Sequence, residues 1–102
     1  MKHDGKLQQM AAAAERASAM MKTLGHSGRL MILCNLATGE RAVGELADEL
    51  DISRSALSQH LARMRAEGLV TARRESQTVY YQLSDGEVRS VIESLYAIFC
   101  PK

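Results

Sequence analysis

In the middle of this chain, apolar residues recur at helical spacing, pause, recur again, and then switch to strand-prone runs. Val43, Leu46, Ala47 and Leu50 fall on one stripe of a short helix. The chain then turns through Asp51 and Ile52, and Ser53 stands where its hydroxyl can accept a hydrogen bond from an orphaned N–H of a second helix. That helix gathers Leu57, Leu61 and Met64 on one side. Its other sides carry Arg54, Ser55, Ser58, Gln59, His60 and Arg63. Glu67-Gly68-Leu69 is a stop signal, with Gly supplying the left-handed residue and Leu folding back. Two β-prone runs, 69–74 and 78–83, flank a polar turn at Glu75-Ser76-Gln77. Short helix, turn, polar-faced helix and basic hairpin is the order in which a winged helix-turn-helix meets DNA.

The flanks add helices. Leu7, Met10, Ala14, Ala17, Met21 and Leu24 step by three and four, an apolar seam that ends at Gly25. Ser27 is expected to cap the next helix, with Leu30, Leu33, Cys34 and Ala37 on one face, and Thr38-Gly39-Glu40 closes it. After the wing, Ser84 or Asp85 is expected to cap a last helix whose apolar face is Val88, Val91, Ile92, Leu95, Ile98 and Phe99. The expected fold is mainly α with a small β-hairpin, in the order α-α-α-α-β-β-α. It forms one winged-helix domain over residues 1–102, with 1–6 flexible. The first and last helices carry long apolar stripes outside the reading unit, and 102 residues leave little core to cover both. They either complete the core of one chain or pack across a two-fold axis. The homodimer is the economical reading, because a palindromic DNA site favours a two-fold protein.

Composition changes this picture little. At 46% apolar and 25% charged the chain is ordinary for a globular protein, and the single proline, Pro101, interrupts no helix. The net charge of +1 does not announce nucleic-acid binding, but its distribution does. Arg54, Arg63, Arg65, Arg73 and Arg74 are opposed only by Glu67 over 53–74, whereas Glu40, Glu45, Asp48, Glu49 and Asp51 face only Arg41 over 38–52. This suggests a phosphate-tracking face and an acidic back. No stretch has the ~20 apolar residues that cross a bilayer, and the N-terminus has no signal-peptide core, so a cytoplasmic protein with reduced thiols is expected.

Within the reading unit, Gln59 suits adenine and Ser55 and Ser58 are permissive. Arg54 and Arg63 suit guanine or phosphate, and His60 is either a DNA contact or a structural histidine. Arg73, Arg74, Gln77 and Thr78 belong to the wing, where arginine meets the backbone or a narrow minor groove. Tyr80 and Tyr81 alternate on a strand, so one is expected in the core and the other partly exposed. His3 and His26 are weak ligand candidates.

The runs Leu30-Met31-Ile32-Leu33, Val43-Gly44-Glu45-Leu46-Ala47 and Ser55-Ala56-Leu57-Ser58-Gln59-His60-Leu61 resemble the ArsR/SmtB family of dimeric winged-helix repressors. So do residues 69–75 and Val79-Tyr80-Tyr81-Gln82-Leu83. The resemblance implies a cytoplasmic homodimer that holds a promoter until an inducer binds or modifies it. It departs from the pattern at His26-Ser27, where many members carry His-Pro. The metal sites of the family are also missing. The third helix lacks a Cys-x-Cys cluster, and the last offers Asp85, Glu87 and Glu93 but no histidine. Neither a metal nor another cofactor is expected.

Cys34 and Cys100 are the remaining chemistry. Two isolated cysteines are ordinarily small buried hydrophobes, and nothing in the sequence activates Cys100 at a helix C-terminus. The pair nevertheless resembles the sulfide-responsive branch of the family, BigR- and SqrR-like, with the wing and last helix nearest its HlyU-like members. That resemblance implies that persulfide or polysulfide links the two thiols and weakens DNA binding. Two other functions stand beside this one: an HlyU-like activator that displaces a nucleoid silencer, and a thiol oxidoreductase. The last lacks both Cys-x-x-Cys and a paired acid and base.

Overall fold

In a computed structural model of the chain, which describes residues 4–100, the second helix of the reading unit is seated by three side chains. Leu57, Leu61 and Met64 of α4 (Arg54–Ala66) are each fully buried. They meet Leu46 and Ala47 of α3 (Val43–Leu50), Ile32, Leu33 and Leu36 of α2 (Ser27–Leu36), and Val88 and Ile92 of α5 (Glu87–Phe99). Val70 of β2 (Val70–Glu75) and Leu83 of β3 (Thr78–Leu83) close the cluster. The order is therefore α1 (Asp4–Leu24), α2, β1 (Arg41–Ala42), α3, α4, β2, β3, α5. Residues 4–6, expected to be flexible, form the first turn of α1, whereas Met1, Lys2 and His3 lie outside the described residues.

The reading unit has the expected anatomy. Asp51 takes a left-handed conformation (φ 55°) at the end of α3, and the Ser53 hydroxyl accepts from Ala56 N–H at 3.1 Å to start α4. At the other end Gly68 (φ 79°) lets Leu69 N–H reach Met64 C=O at 2.9 Å and its own N–H reach Arg65 C=O at 3.0 Å. Those two bonds are the Schellman motif, and Leu69 folds into the core as the closing hydrophobe. The hairpin turns in two residues, Ser76 and Gln77, with Glu75 opposite Thr78. Here the non-glycine Ser76 accepts a positive φ of 59°.

Four details correct the sequence reading. The two-residue strand β1 pairs Arg41 with Tyr81 and Ala42 with Tyr80, making a three-stranded sheet β1-β3-β2. A strand this short has no alternation to read. The cap of α2 is His26, not Ser27: its ring Nδ1 accepts from Arg29 N–H at 3.4 Å, doing the work of a hydroxyl. The buried face of α2 is Ile32, Leu33 and Leu36, with Leu30, Cys34 and Ala37 half-buried beside it, because α3, α5 and β3 surround this helix on several sides. Neither Ser84 nor Asp85 caps α5. Gly86 (φ 103°) does so without a side chain, while Arg89 reaches back to donate to Leu83 C=O at 2.7 Å. Tyr81 packs against the core and Tyr80 remains half-buried outside it.

The outer helices are covered least. In α1, only Thr23 and Leu24 are buried and Met20 half-buried, whereas Leu7, Met10 and Met21 are more than half exposed. On α5, Val88 and Ile92 are buried, but Ile98 and Phe99 are 70% and 76% exposed. Neither stripe completes the core of this chain. Replacing Leu61 by alanine empties a fully enclosed site, so urea denaturation at fixed protein concentration should show a loss of about 2–5 kcal/mol. A loss under about 1 kcal/mol would mean that the site collapses freely around the missing side chain.

Candidate nucleic-acid interface and thiol pair

Burial of Leu57, Leu61 and Met64 turns the opposite side of α4 to solvent. Ser55, Ser58 and Gln59 are all exposed there. Ser55 Oγ lies 3.4 Å from the capping Ser53 Oγ at the first turn. Arg54 is exposed, and its guanidinium lies across α3 at Gly44, where a Cβ would stand 2.6 Å from Nη2. Gly44 thus leaves room for that arginine between the two helices of the reading unit. Nothing in the spacing of the sequence marks that role.

The wing divides its residues into free and engaged. Arg74, Gln77 and Thr78 are exposed. Arg73 is not free: Nε and Nη2 donate to the two carboxylate oxygens of Glu40 at 2.8 and 2.9 Å, and Nη1 donates to Glu75 Oε1 at 3.2 Å. Its guanidinium also lies 4.5 Å from the centre of the Tyr80 ring. The fork of hydrogen bonds from Arg73 holds the Glu40 carboxyl below the usual carboxylate range, and the same bonds keep Arg73 firmly charged. The acidic segment is therefore not wholly a back face, since one of its residues clasps the wing. Glu40 and Arg73 are 33 residues apart, so no local pattern joins them.

Arg63 and His60 lie on one flank of α4. Arg63 Nε pairs with Glu67 at 3.4 Å, and Glu67 in turn accepts from the Thr23 hydroxyl of α1 at 2.6 Å. The half-buried His60 ring packs against the His26 ring, centroids 5.3 Å apart. Burial holds His60 below the ordinary 6.5, reinforced by the nearby charges of His26, Arg29 and Arg63.

Cys34 and Cys100 meet where α2 passes the end of α5. Both are free and half-buried. Burial pushes the Cys34 thiol up, and the neighbouring Cys100 adds to the rise by its charge and as a hydrogen-bond partner. Among the described residues no three His, Cys, Asp or Glu side chains gather as a metal site would need. No described helix is long and apolar enough to cross a membrane.

A wing beside a helix-turn-helix whose second helix shows a polar face defines a winged-helix DNA-binding protein. The particular family follows from comparison. The family model described as bacterial regulatory protein, arsR family, matches residues 26–72. The chain is 47% identical over 94 residues to the transcriptional activator HlyU of Vibrio cholerae, covering 92% of this chain and 87% of that one. It is 45% identical to the biofilm growth-associated repressor of Agrobacterium fabrum, covering 89% and 78%. Reduced HlyU from Vibrio cholerae superposes with a TM-score of 0.87 at 46% identity, covering 92% of this chain and 99% of that one. A homodimeric winged helix-turn-helix domain from Mycobacterium bovis does so at 0.77 and 31% identity, covering 88% and 83%. The chain belongs to the ArsR family and is a transcriptional regulator, not an enzyme.

Two predictions follow from the charges. Glu40→Gln frees Arg73 for phosphate, so DNA affinity should rise on any sequence and the slope of log K against log salt should steepen by about one. An unchanged slope would make Arg73 a strut of the wing. The second concerns His60, which binds its proton less readily folded than unfolded. The stability it contributes is present in full above the ordinary 6.5 and is lost as pH falls from there through the lower folded value. Thermal melts of wild type should drop over this window more than those of His60→Gln; parallel curves would deny the coupling.

Proposed function

We propose that this regulator is a homodimeric repressor whose hold on a palindromic operator is released when Cys34 and Cys100 are joined by reaction with persulfide or polysulfide. The observation that carries the reading is the meeting of two free thiols, distant in sequence, between α2 and the last turn of α5. The exposed apolar residues of α1 and α5 supply the dimer face, as Leu7, Met10, Met21, Ile98 and Phe99 find no cover within one chain. The homodimeric relative from Mycobacterium bovis has the same fold. Ser55, Ser58 and Gln59 read bases, while Arg54, Arg63, Arg74, Gln77 and Thr78 hold the backbone. Arg73 joins them when phosphate displaces Glu40. The chain acts as one domain in the reducing cytoplasm, where its thiols begin as thiols.

The chemistry follows from the environment of each thiol. Burial disfavours the Cys34 thiolate, so the first attack is assigned to Cys100 at the end of α5. Its thiolate bonds to a sulfane sulfur of the polysulfide and expels the shortened chain as the leaving anion. Cys100 then carries one or more added sulfurs. Cys34 gives up its proton and attacks that appendage, expelling hydrosulfide and closing the bridge. Both cysteine thiols are oxidised by one electron each, and the polysulfide takes up the pair. With one added sulfur on Cys100, attack on the Cys100 sulfur expels hydrosulfide and gives a disulfide; with two, attack on the inner added sulfur expels hydrosulfide and gives a trisulfide.

The similarity to a protein named as an activator supports a second reading. In it the same dimer displaces a nucleoid silencer and the thiol pair is a general redox switch. A footprint over a core promoter favours the repressor; one over a silenced upstream tract favours the activator.

Mass spectrometry of the reduced protein after separate exposure to polysulfide, peroxide and a disulfide oxidant tests the switch. The expected product is a Cys34–Cys100 bridge with added sulfur from polysulfide alone, with loss of DNA in parallel. Cys34→Ser and Cys100→Ser should both keep their DNA under polysulfide. Release of DNA from either variant would overturn the mechanism.

A further inference from the structure

The flank of α4 that faces the start of α2 gathers basic groups without using them. His26 and His60 meet there with their rings tilted by 54°, with Arg63 one helical turn beyond His60 and Arg29 behind them on α2. His26 Nδ1 is occupied as an acceptor from Arg29 N–H, so the proton of its ring sits on Nε2, leaving an outward donor. Arg29 keeps Nε and Nη1 buried with no hydrogen-bond partner among the described residues, a charge without an internal counter-ion. Glu67, the acid on this flank, is already taken by Arg63 from α4 and Thr23 from α1. The cluster therefore offers ring N–H donors at the surface, above the buried, unpaired charge of Arg29 and beside the Arg63–Glu67 pair. His26 is exposed, and His60 lies between the buried stripe of α4 and its polar face.

We propose that the His26–His60 pair, backed by Arg29 and Arg63, is a seat for one phosphate of the DNA backbone, filled with uptake of a proton. An anion suits this place because it meets two ring N–H donors and offsets the Arg29 charge, which has no partner among the described residues. A divalent cation does not suit it, since Arg29 and Arg63 flank the rings. The backbone of a duplex read by Ser58 and Gln59 is the anion within reach, as the flank adjoins their face of α4. α2 thereby becomes part of the DNA surface although it lies outside the reading unit. This inference rests on DNA binding but not on which bases are read or on the thiol switch.

His26→Asn keeps a side chain able to cap α2 and removes the ring; His60→Gln removes the titrating group. The doubly substituted protein should bind operator and unrelated duplex about tenfold more weakly near pH 6, with the log–log salt slope reduced by about one. Wild-type affinity should rise on acidification from about pH 7.5 to 6, and that of the double variant should stay flat. NMR titration of the His60 ring in wild-type protein needs no substitution. DNA should raise its titration midpoint, and inorganic phosphate at matched ionic strength should raise it less. An unmoved midpoint with DNA, or a rise with inorganic phosphate alone, would overturn the proposal. So would an unaltered salt slope in a double variant that melts like wild type. Failure of the wild type to bind any duplex would instead strike the DNA-binding reading itself.

Discussion

The rest of the structure depends on the seating of α4 by Leu57, Leu61 and Met64. These three positions are one turn apart, so burying them fixes not only where the helix lies but how it is rotated about its axis. Rotation decides which side chains reach solvent. With the stripe locked against α2, α3, α5 and the sheet, Ser55, Ser58 and Gln59 have no choice but to face outward, and His60 and Arg63 take the flank. Each fully buried side chain of this size contributes about 1.5–3 kcal/mol, far more than the exposed hydrogen bonds around them. Presentation of the polar face is therefore set by apolar packing rather than by the polar residues themselves.

Electrostatics then adjusts what packing has set. Several basic groups near the polar face are held in check. Arg73 is clasped by Glu40 and Glu75, and Arg63 is shared with Glu67. His60 is kept short of its proton by burial and by its cationic neighbours. Such pairs on a surface stabilise the fold little. In the proposed reading their larger effect is on binding, because each acid would have to be displaced before its arginine met a phosphate. A net charge of +1 thus goes with arginines on this surface that are already paired with acids.

What was legible in the sequence follows the same division. Stripes, caps and stops act within a turn or two, so α3, the turn, the Ser53 cap, α4 and the Gly68 stop could be read from neighbouring residues. The Glu40–Arg73 clasp, the His26–His60 contact and the room that Gly44 leaves for Arg54 could not, because each joins residues that only the fold brings together. β1 escaped because two residues carry no period. The cap of α2 was misread because histidine does there what serine usually does, and the cap of α5 because glycine did the job with no side chain. The nearness of Cys34 to Cys100 came from family resemblance, as periodicity places one on an apolar stripe and the other at a chain end without relating them.

The remaining question is how an event at the end of α5 could be felt at α4. Val88 and Ile92 anchor the first half of α5 in the core, so a bond at Cys100 would fasten the outer half, which carries Ile98 and Phe99. Ile98 and Phe99 lie outside the core cluster that seats α4. α1 provides the connection: Arg16 pairs with Glu87 at the start of α5, and Thr23 bonds Glu67 at the end of α4. Between those points α1 runs as an uninterrupted helix with Met21 exposed and Met20 half-buried against the core. A shift in how α1 and α5 meet a second copy would therefore reach α4 through Glu67, at the end remote from Ser55. A pull at that end would carry α4 together with the core that seats Leu57, Leu61 and Met64, and so alter where Ser55 stands relative to a second copy. In the proposed homodimer such a movement would change the separation of two reading helices while leaving each one folded.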